Sequence, residues 1–463
     1  MPTHGYTLPM NSLLTSRFRS GLFRLTLLVI SLAPAGYHVN ATPLQTAPAT
    51  PQGTATPAST TPAQNSTTTY HLSPEKYQKA IAYSRAGYRL YFLSVFWNLT
   101  IILFLLRSGF FAKLRSFVEA RSRSYSFQAA IFVPALFALL ALLHLPIRLY
   151  WHHLSLYYQQ SIESWGPWLW DWTKALLLEI ALALLVVTIL FALIRSKPRS
   201  WWLFAWLGAI PLSLFLGFIT PWYVDPLFNK FRPLQETQPQ LVQSIGELSR
   251  HAGIPIPPDR MFLMEASAKT NAINAYVTGL GASKRIVIWD TSIRKTKPEE
   301  LLFIVSHEMG HYVLGHVVKG FAYFLALLFF ALFLAYRALQ WMIARWGNAW
   351  RIRRQSDWAA LGVLLLLLDI MSFFGEPLGN AISRMQEHAA DAYGLQLIQG
   401  FFPDANEVAA HSFQVLGEED LDDPNPPKFI VLWLYSHPPL NDRLRYAHDF
   451  GSPSKSPNNL KPN

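Results

Sequence analysis

The chain has 463 residues, 51% of them hydrophobic and 14% charged, with a formal net charge of +11 and a mean hydropathy of +0.19. That balance excludes an ordinary soluble protein and leaves room for several membrane spans plus one modest polar domain. The absence of cysteine excludes disulfides, thiolate metal ligands and a cysteine nucleophile.

Arg17, Arg19 and Arg24 precede an apolar run at 25–34, and small residues follow at Ala33, Ala35 and Ala41. This is the layout of a signal peptide over 1–41, cleaved after Ala41, or of an uncleaved signal anchor. Residues 42–70 are dominated by Thr, Ala, Pro, Gln and Ser, carry no charge and cannot bury a core, so they read as a disordered linker. Apolar runs follow at 90–106, 128–147, 175–194 and 202–222, each near the length of a membrane-crossing helix. They define a four-span membrane domain over 71–223. Tyr150, Trp151, Trp165, Trp168 and Trp170 lie between the second and third runs, as interface anchors do. Residues 224–317 form a polar region with a helical pattern at 241–251 and short strands at 261–264, 274–278 and 285–289. Pro298, Glu299 and Glu300 open a further helix, with proline in its first turn and acids at its positive dipole end. Two more spans fill 318–376, with runs at 318–336 and 358–374. The segment 377–450 begins with a helix over 380–398, and 451–463 reads as a disordered tail.

The helix after Pro298 carries His307-Glu308-Met309-Gly310-His311, an HExxH pattern. Imidazoles four apart share one helical face and can grip zinc, with the intervening carboxylate beside the open position where a base is needed. A bare pattern of this length also occurs on ordinary helices carrying two surface histidines. Here Leu302, Val305, Met309 and Tyr312 supply a packed face, which leaves His307, Glu308 and His311 toward a cleft. A catalytic zinc needs a third protein ligand. His316, nine residues beyond His307, falls on the far side of a continuous helix and reads as a second-sphere or interfacial group rather than a ligand. Glu387 is the better ligand, with Asp391 one turn later as acceptor for an imidazole N–H. Alone, that pair would read as an ordinary acidic helix surface; beside the HExxH helix the metal reading prevails.

Four segments then occur in order: Asn274-Ala275-Tyr276; His307 to His311 followed by Tyr312-Val313-Leu314-Gly315-His316; Ser383-Arg384 through Glu387 to Asp391; and Ser436-His437-Pro438-Pro439-Leu440 with Arg443. In these the chain resembles the CAAX prenyl protease type I family of membrane zinc metallopeptidases, and more distantly the HtpX-like proteases, over roughly 128–450. The resemblance implies one zinc ion per chain, ligated by His307, His311 and Glu387. It gives Glu308 the proton of the attacking water, which it later passes to the leaving amine. Asp391 would orient an imidazole, and Asn274, Ala275 and Tyr276 would hold the substrate backbone along an edge strand. His437, supported by Arg443, would stabilise the oxyanion. Read without the family, His437 is equally a turn histidine before Pro438 and Pro439.

These readings predict a mainly α-helical multispan membrane protein with a small α+β, zincin-like metalloprotease domain. The predicted activity is zinc-dependent hydrolysis of peptide bonds in membrane-associated or peptide substrates. The expected partners are the lipid bilayer and that substrate; nucleic acid is not expected, because the basic residues flank apolar runs without a nucleic-acid motif. Oligomeric state is not specified by the sequence. The signal-like start suggests a bacterial inner membrane, where prenylated substrates are not expected. Basic residues between spans place the zinc on the periplasmic face, whereas the family resemblance places it on the cytoplasmic one. Two rival readings are a non-catalytic zinc-containing scaffold or chaperone and a site-2 type intramembrane protease. The latter would need an Asp-Gly partner, and Asp369 is followed by Ile370. Glu179 and Asp369 lie within the predicted spans without a committed role.

Overall fold

The computed structural model describes residues 69–279 and 284–451. The signal-like start, nearly all of the linker, residues 280–283 between the second and third predicted strands, and the tail beyond 451 lie outside the described residues.

Helix α1 (Pro74–Arg107) starts with proline in its first turn and Ser73 as its cap, whose side chain accepts from the Lys76 N–H. A short α2 (Phe110–Arg121) follows Gly109, which takes a φ of 70° that other residues resist. Then come α3 (Tyr125–Tyr157), α4 (Trp165–Ser196) and α5 (Trp201–Phe228). All except α2 are long and apolar enough to cross a membrane, as are α9 (His316–Trp350) and the last long helix, α10 (Leu361–Ile398). Each of the six runs past the apolar stretch read from the sequence. Backbone hydrogen bonding does not stop where the lipid does.

The polar domain is built on a four-stranded sheet of β1 (Phe231–Pro233), β2 (Met261–Met264), β3 (Ala275–Thr278) and β4 (Arg285–Trp289), in the order β1-β2-β4-β3. Strands β2 and β4 are parallel and the other pairs antiparallel, so β3 is an edge strand. Val242, Ile245 and Leu248 of α6 (Pro239–His251) pack beneath the sheet with Ile286 and Ile288 of β4. A short α7 (Asp290–Lys295) leads into α8 (Pro298–Val313), the HExxH helix. Beyond α9 the chain forms α10 (Leu361–Ile398), α11 (Ala405–Asp420), α12 (Lys428–Leu434) and α13 (Leu440–Asp449). The sixth apolar run and the helix bearing Glu387 are therefore one helix, which passes through Pro377 without breaking.

Contacts among the turns define two ends. At one, the Arg115 guanidinium donates to Asp357 at 2.5 Å and to the Arg351 carbonyl at 3.0 Å, and Gln355 donates to the Pro198 carbonyl at 2.8 Å. The connections α1–α3, α4–α5 and α9–α10 thus meet. At the other end, the Ile162 N–H donates to the Lys269 carbonyl at 3.0 Å, and the Tyr70 N–H donates to Asn441 at 2.8 Å. The turn between α3 and α4 and the lead-in to α1 therefore dock on the polar domain.

Candidate metal centre

Helix α8 is buried on more than one side. Leu302, Val305, Met309 and Tyr312 join the cluster beneath the sheet, as the sequence pattern predicts, while Phe303 meets Phe413 of α11 edge to face. Burying each such side chain stabilises the placement by about 1.5–3 kcal/mol. The helix start is fixed by Glu300, whose carboxylate accepts from the Lys297 N–H at 2.9 Å. What remains is the face carrying His307, Glu308 and His311.

Helix α10 lies against that face through two glycines. A Cβ on Gly394 would sit 3.0 Å from the His307 nitrogen and 3.1 Å from its Cα. One on Gly310 would sit 3.1 Å from the Tyr393 ring and 3.3 Å from the Ala390 Cα. The backbones approach this closely because neither side chain intervenes.

At this separation Glu387 reaches the imidazole pair. His307 Nε2 and His311 Nε2 are 3.2 Å apart, His307 Nε2 lies 3.2 Å from Glu387 Oε2, and His311 Nε2 lies 3.4 Å from Glu387 Oε1. Among the described residues these three form the single group of His, Asp and Glu donors that converges tightly enough for a metal. Tetrahedral zinc with bonds of about 2.0–2.2 Å sets neighbouring donors about 3.3–3.6 Å apart, so the arrangement fits zinc in donor type and spacing. Burial would push His307 down, yet the Asp391 and Glu387 carboxylates beside it hold it above its ordinary range. The pocket favours positive charge.

The surroundings are ordered by charge. His307 Nδ1 is 2.8 Å from Asp391 Oδ1, and Asp391 accepts a fork of bonds from Arg443, at 2.8 Å from Nε and 2.6 Å from Nη2. The ion pair of Arg443 is thus with Asp391, on the His307 side, where the family resemblance pairs it with His437. His437 does arrive, with Nε2 3.2 Å from Glu387 Oε2 and Nδ1 3.0 Å from Ser436 Oγ. Its segment is held by two α10 residues that sequence reasoning passed over as site residues. Arg384 donates to the Val431 and Tyr435 carbonyls at 3.0 and 2.5 Å, and Asn380 to the Trp433 carbonyl at 2.6 Å. The signal was their spacing: 380, 384, 387 and 391 lie along one helical face.

Ala275 and Tyr276 lie on the edge strand β3, whereas Asn274 sits just ahead of it. Asn274 is pinned by its backbone: its N–H donates to Ser292 Oγ at 2.7 Å, and its carbonyl accepts from the Trp289 N–H at 3.0 Å. The continuous helix assumed in the sequence reading of His316 is interrupted. Helix α8 ends at Val313, Gly315 takes a φ of 68°, and His316 begins α9. The turn brings His316 back, with its Nδ1 3.0 Å from His311 Nδ1. Of the carboxylates in the spans, Asp369 is buried and pairs with Asn98, and Glu179 lines a small cavity with His144 and Arg148.

The model of peptidase family M48 matches residues 235–449. A model described as the CAAX prenyl protease N-terminal region, with five membrane helices, matches 58–230. Among the described residues of that stretch, four helices are long and apolar enough to span. An uncharacterized metalloprotease, YhfN, of Bacillus subtilis is 35% identical over 376 residues, covering 81% of this chain and 86% of that one. CAAX prenyl protease 1 of Saccharomyces cerevisiae is 26% identical over 412 residues, covering 83% and 88%. The crystal structure of S. mikatae Ste24p superposes with a TM-score of 0.70 at 23% identity, covering 82% of this chain and 90% of that one.

Proposed function

The chain belongs to peptidase family M48 and is a multispan membrane metalloendopeptidase, and from that premise we propose that it uses one zinc ion to hydrolyse peptides presented at the membrane face. The observation that carries the reading is the convergence of His307 Nε2, His311 Nε2 and the Glu387 carboxylate, with Glu308 on the same helix. Zinc held there would polarise the scissile carbonyl and acidify the attacking water. Glu308 takes the proton from that water and delivers it to the departing amine. His437 donates to the oxygen on which charge develops, a contribution of about 2.7–4 kcal/mol for one such donor. Asp391, itself gripped by Arg443, holds His307 in the tautomer that leaves Nε2 free. The substrate backbone adds to the outer edge of β3, which leads from Asn274 through Ala275 and Tyr276. We assign to this chain the peptide chemistry of its relatives, without requiring a prenyl group.

The test is hydrolysis of an unstructured protein or fluorogenic peptide by the purified chain in detergent. Cleavage is expected to vanish with a zinc chelator and to return with added zinc. Cleavage that continues at full rate in metal-stripped protein would refute zinc dependence.

We further propose that the zinc end faces the periplasm of a bacterial inner membrane. The turns at the far end carry Arg107, Lys113, Arg115, Arg121, Arg123, Arg195, Lys197, Arg199, Arg351, Arg353 and Arg354, against Glu119 and Asp357. Such an excess is retained in the cytoplasm. The lead-in to α1 docks on the zinc end, so a secreted linker would also emerge on that side. Alkaline phosphatase fused after residue 463 is expected to be active. A fusion active only with a reporter that folds in the cytoplasm reverses the assignment.

A further inference from the structure

We infer that His316 is a positioning residue for His311, accepting the His311 Nδ1–H and so fixing the ring with Nε2 aimed at the metal. This inference rests on the metal-site reading above. An imidazole that offers its Nε2 lone pair to a metal keeps its proton on Nδ1, and that proton needs an acceptor. For His307 the acceptor is Asp391 at 2.8 Å. For His311 the group in place is His316 Nδ1 at 3.0 Å, with the two rings edge to face and their centroids 5.1 Å apart. His316 is only 6% exposed, so it holds this place inside the protein rather than in solvent. To accept at Nδ1 it carries its own proton on Nε2.

The backbone is shaped for this contact. On an unbroken helix, residues five apart point about 140° away from each other. The end of α8 at Val313 and the left-handed Gly315 cancel that divergence. The choice of an imidazole is chemically distinct from the choice at His307. Glu308, Glu387 and Asp391 already bring three carboxylates to the pocket, and Arg443 offsets one of them. A neutral acceptor at His311 orients the ring without adding a fourth.

The test compares His316→Asn, His316→Gln and His316→Leu in the full-length chain. The asparagine side chain places a polar atom where Nδ1 stands, whereas glutamine places one near Nε2. Zinc affinity is measured by competition with a chromophoric chelator, alongside the visible spectrum of the cobalt-substituted protein and thermal melting. His316→Leu and His316→Gln are expected to lose about 10–100-fold in zinc affinity and to alter the cobalt spectrum. His316→Asn is expected to recover most of that loss. Unchanged zinc affinity in His316→Leu would overturn the inference while leaving the metal site standing. So would an equal loss in all three variants that tracks their melting temperatures, which would mark a packing role. A wild-type chain that binds no zinc would instead bring down the metal-site reading itself.

Discussion

Glu308→Gln is expected to bind zinc as the wild type does and to lose peptide hydrolysis by about 10²–10⁴-fold. The amide matches the carboxylate in shape, and Glu308 sits in the middle of a helix whose buried neighbours are untouched by the change. Neither the fold nor the three donors of His307, His311 and Glu387 should therefore shift. The variant lacks only a group able to take a proton from water and return it to the amine. Metal content by atomic emission and cleavage of a fluorogenic peptide, measured on the same preparation, separate the two effects. Near wild-type turnover would remove Glu308 from the reaction and leave the HExxH helix a purely metal-holding element.

Glu387→Ala is expected to empty the site. The zinc content should fall from one per chain to a trace after dialysis, with hydrolysis at background. Removing an outer-shell partner typically costs 10–100-fold in metal affinity, and a direct ligand should cost more than about 100-fold. The loss extends beyond one bond, because the carboxylate also sits 3.2 Å from His437 Nε2. Without it three imidazoles face one another with no negative charge between them. Stoichiometric zinc in Glu387→Ala would show that the third donor lies elsewhere, with His437 the first replacement to examine.

Much of this arrangement is legible in the residues. Strands β2 and β4 coincide with the short apolar runs at 261–264 and 285–289, the second of them rich in β-branched residues, because short buried strands are announced by composition and flanking turns. The six long apolar runs are found as helices for a similar reason: a bilayer sets one length. The convergence of Glu387 on the histidine pair follows from ligand chemistry, although nothing in the spacing fixes its distance. His316 shows where such reading stops. Its placement depends on a helix ending three residues earlier, at Val313, and on Gly315, whose left-handed backbone no hydrophobic period records. The spacing of Asn380 and Arg384 marks their shared face with Glu387, but not what they bind, since both hold backbone carbonyls of a segment some fifty residues away in the chain. The union of the sixth span with the Glu387 helix was obscured by Pro377, which normally ends a helix and here does not.

Helices α8 and α10 meet at Gly310 and Gly394. The gap between donor sets is gauged by two absent methyl groups, one inside the HExxH segment at Gly310 and one at Gly394, three residues past Asp391. A methyl at either place acts as a shim, prying the carboxylate away from the imidazoles by a few tenths of an ångström while leaving every ligand chemically intact. The calibration of this centre is therefore written partly in what its sequence leaves out, and Gly394 belongs to the motif as fully as the residues proposed to hold the ion.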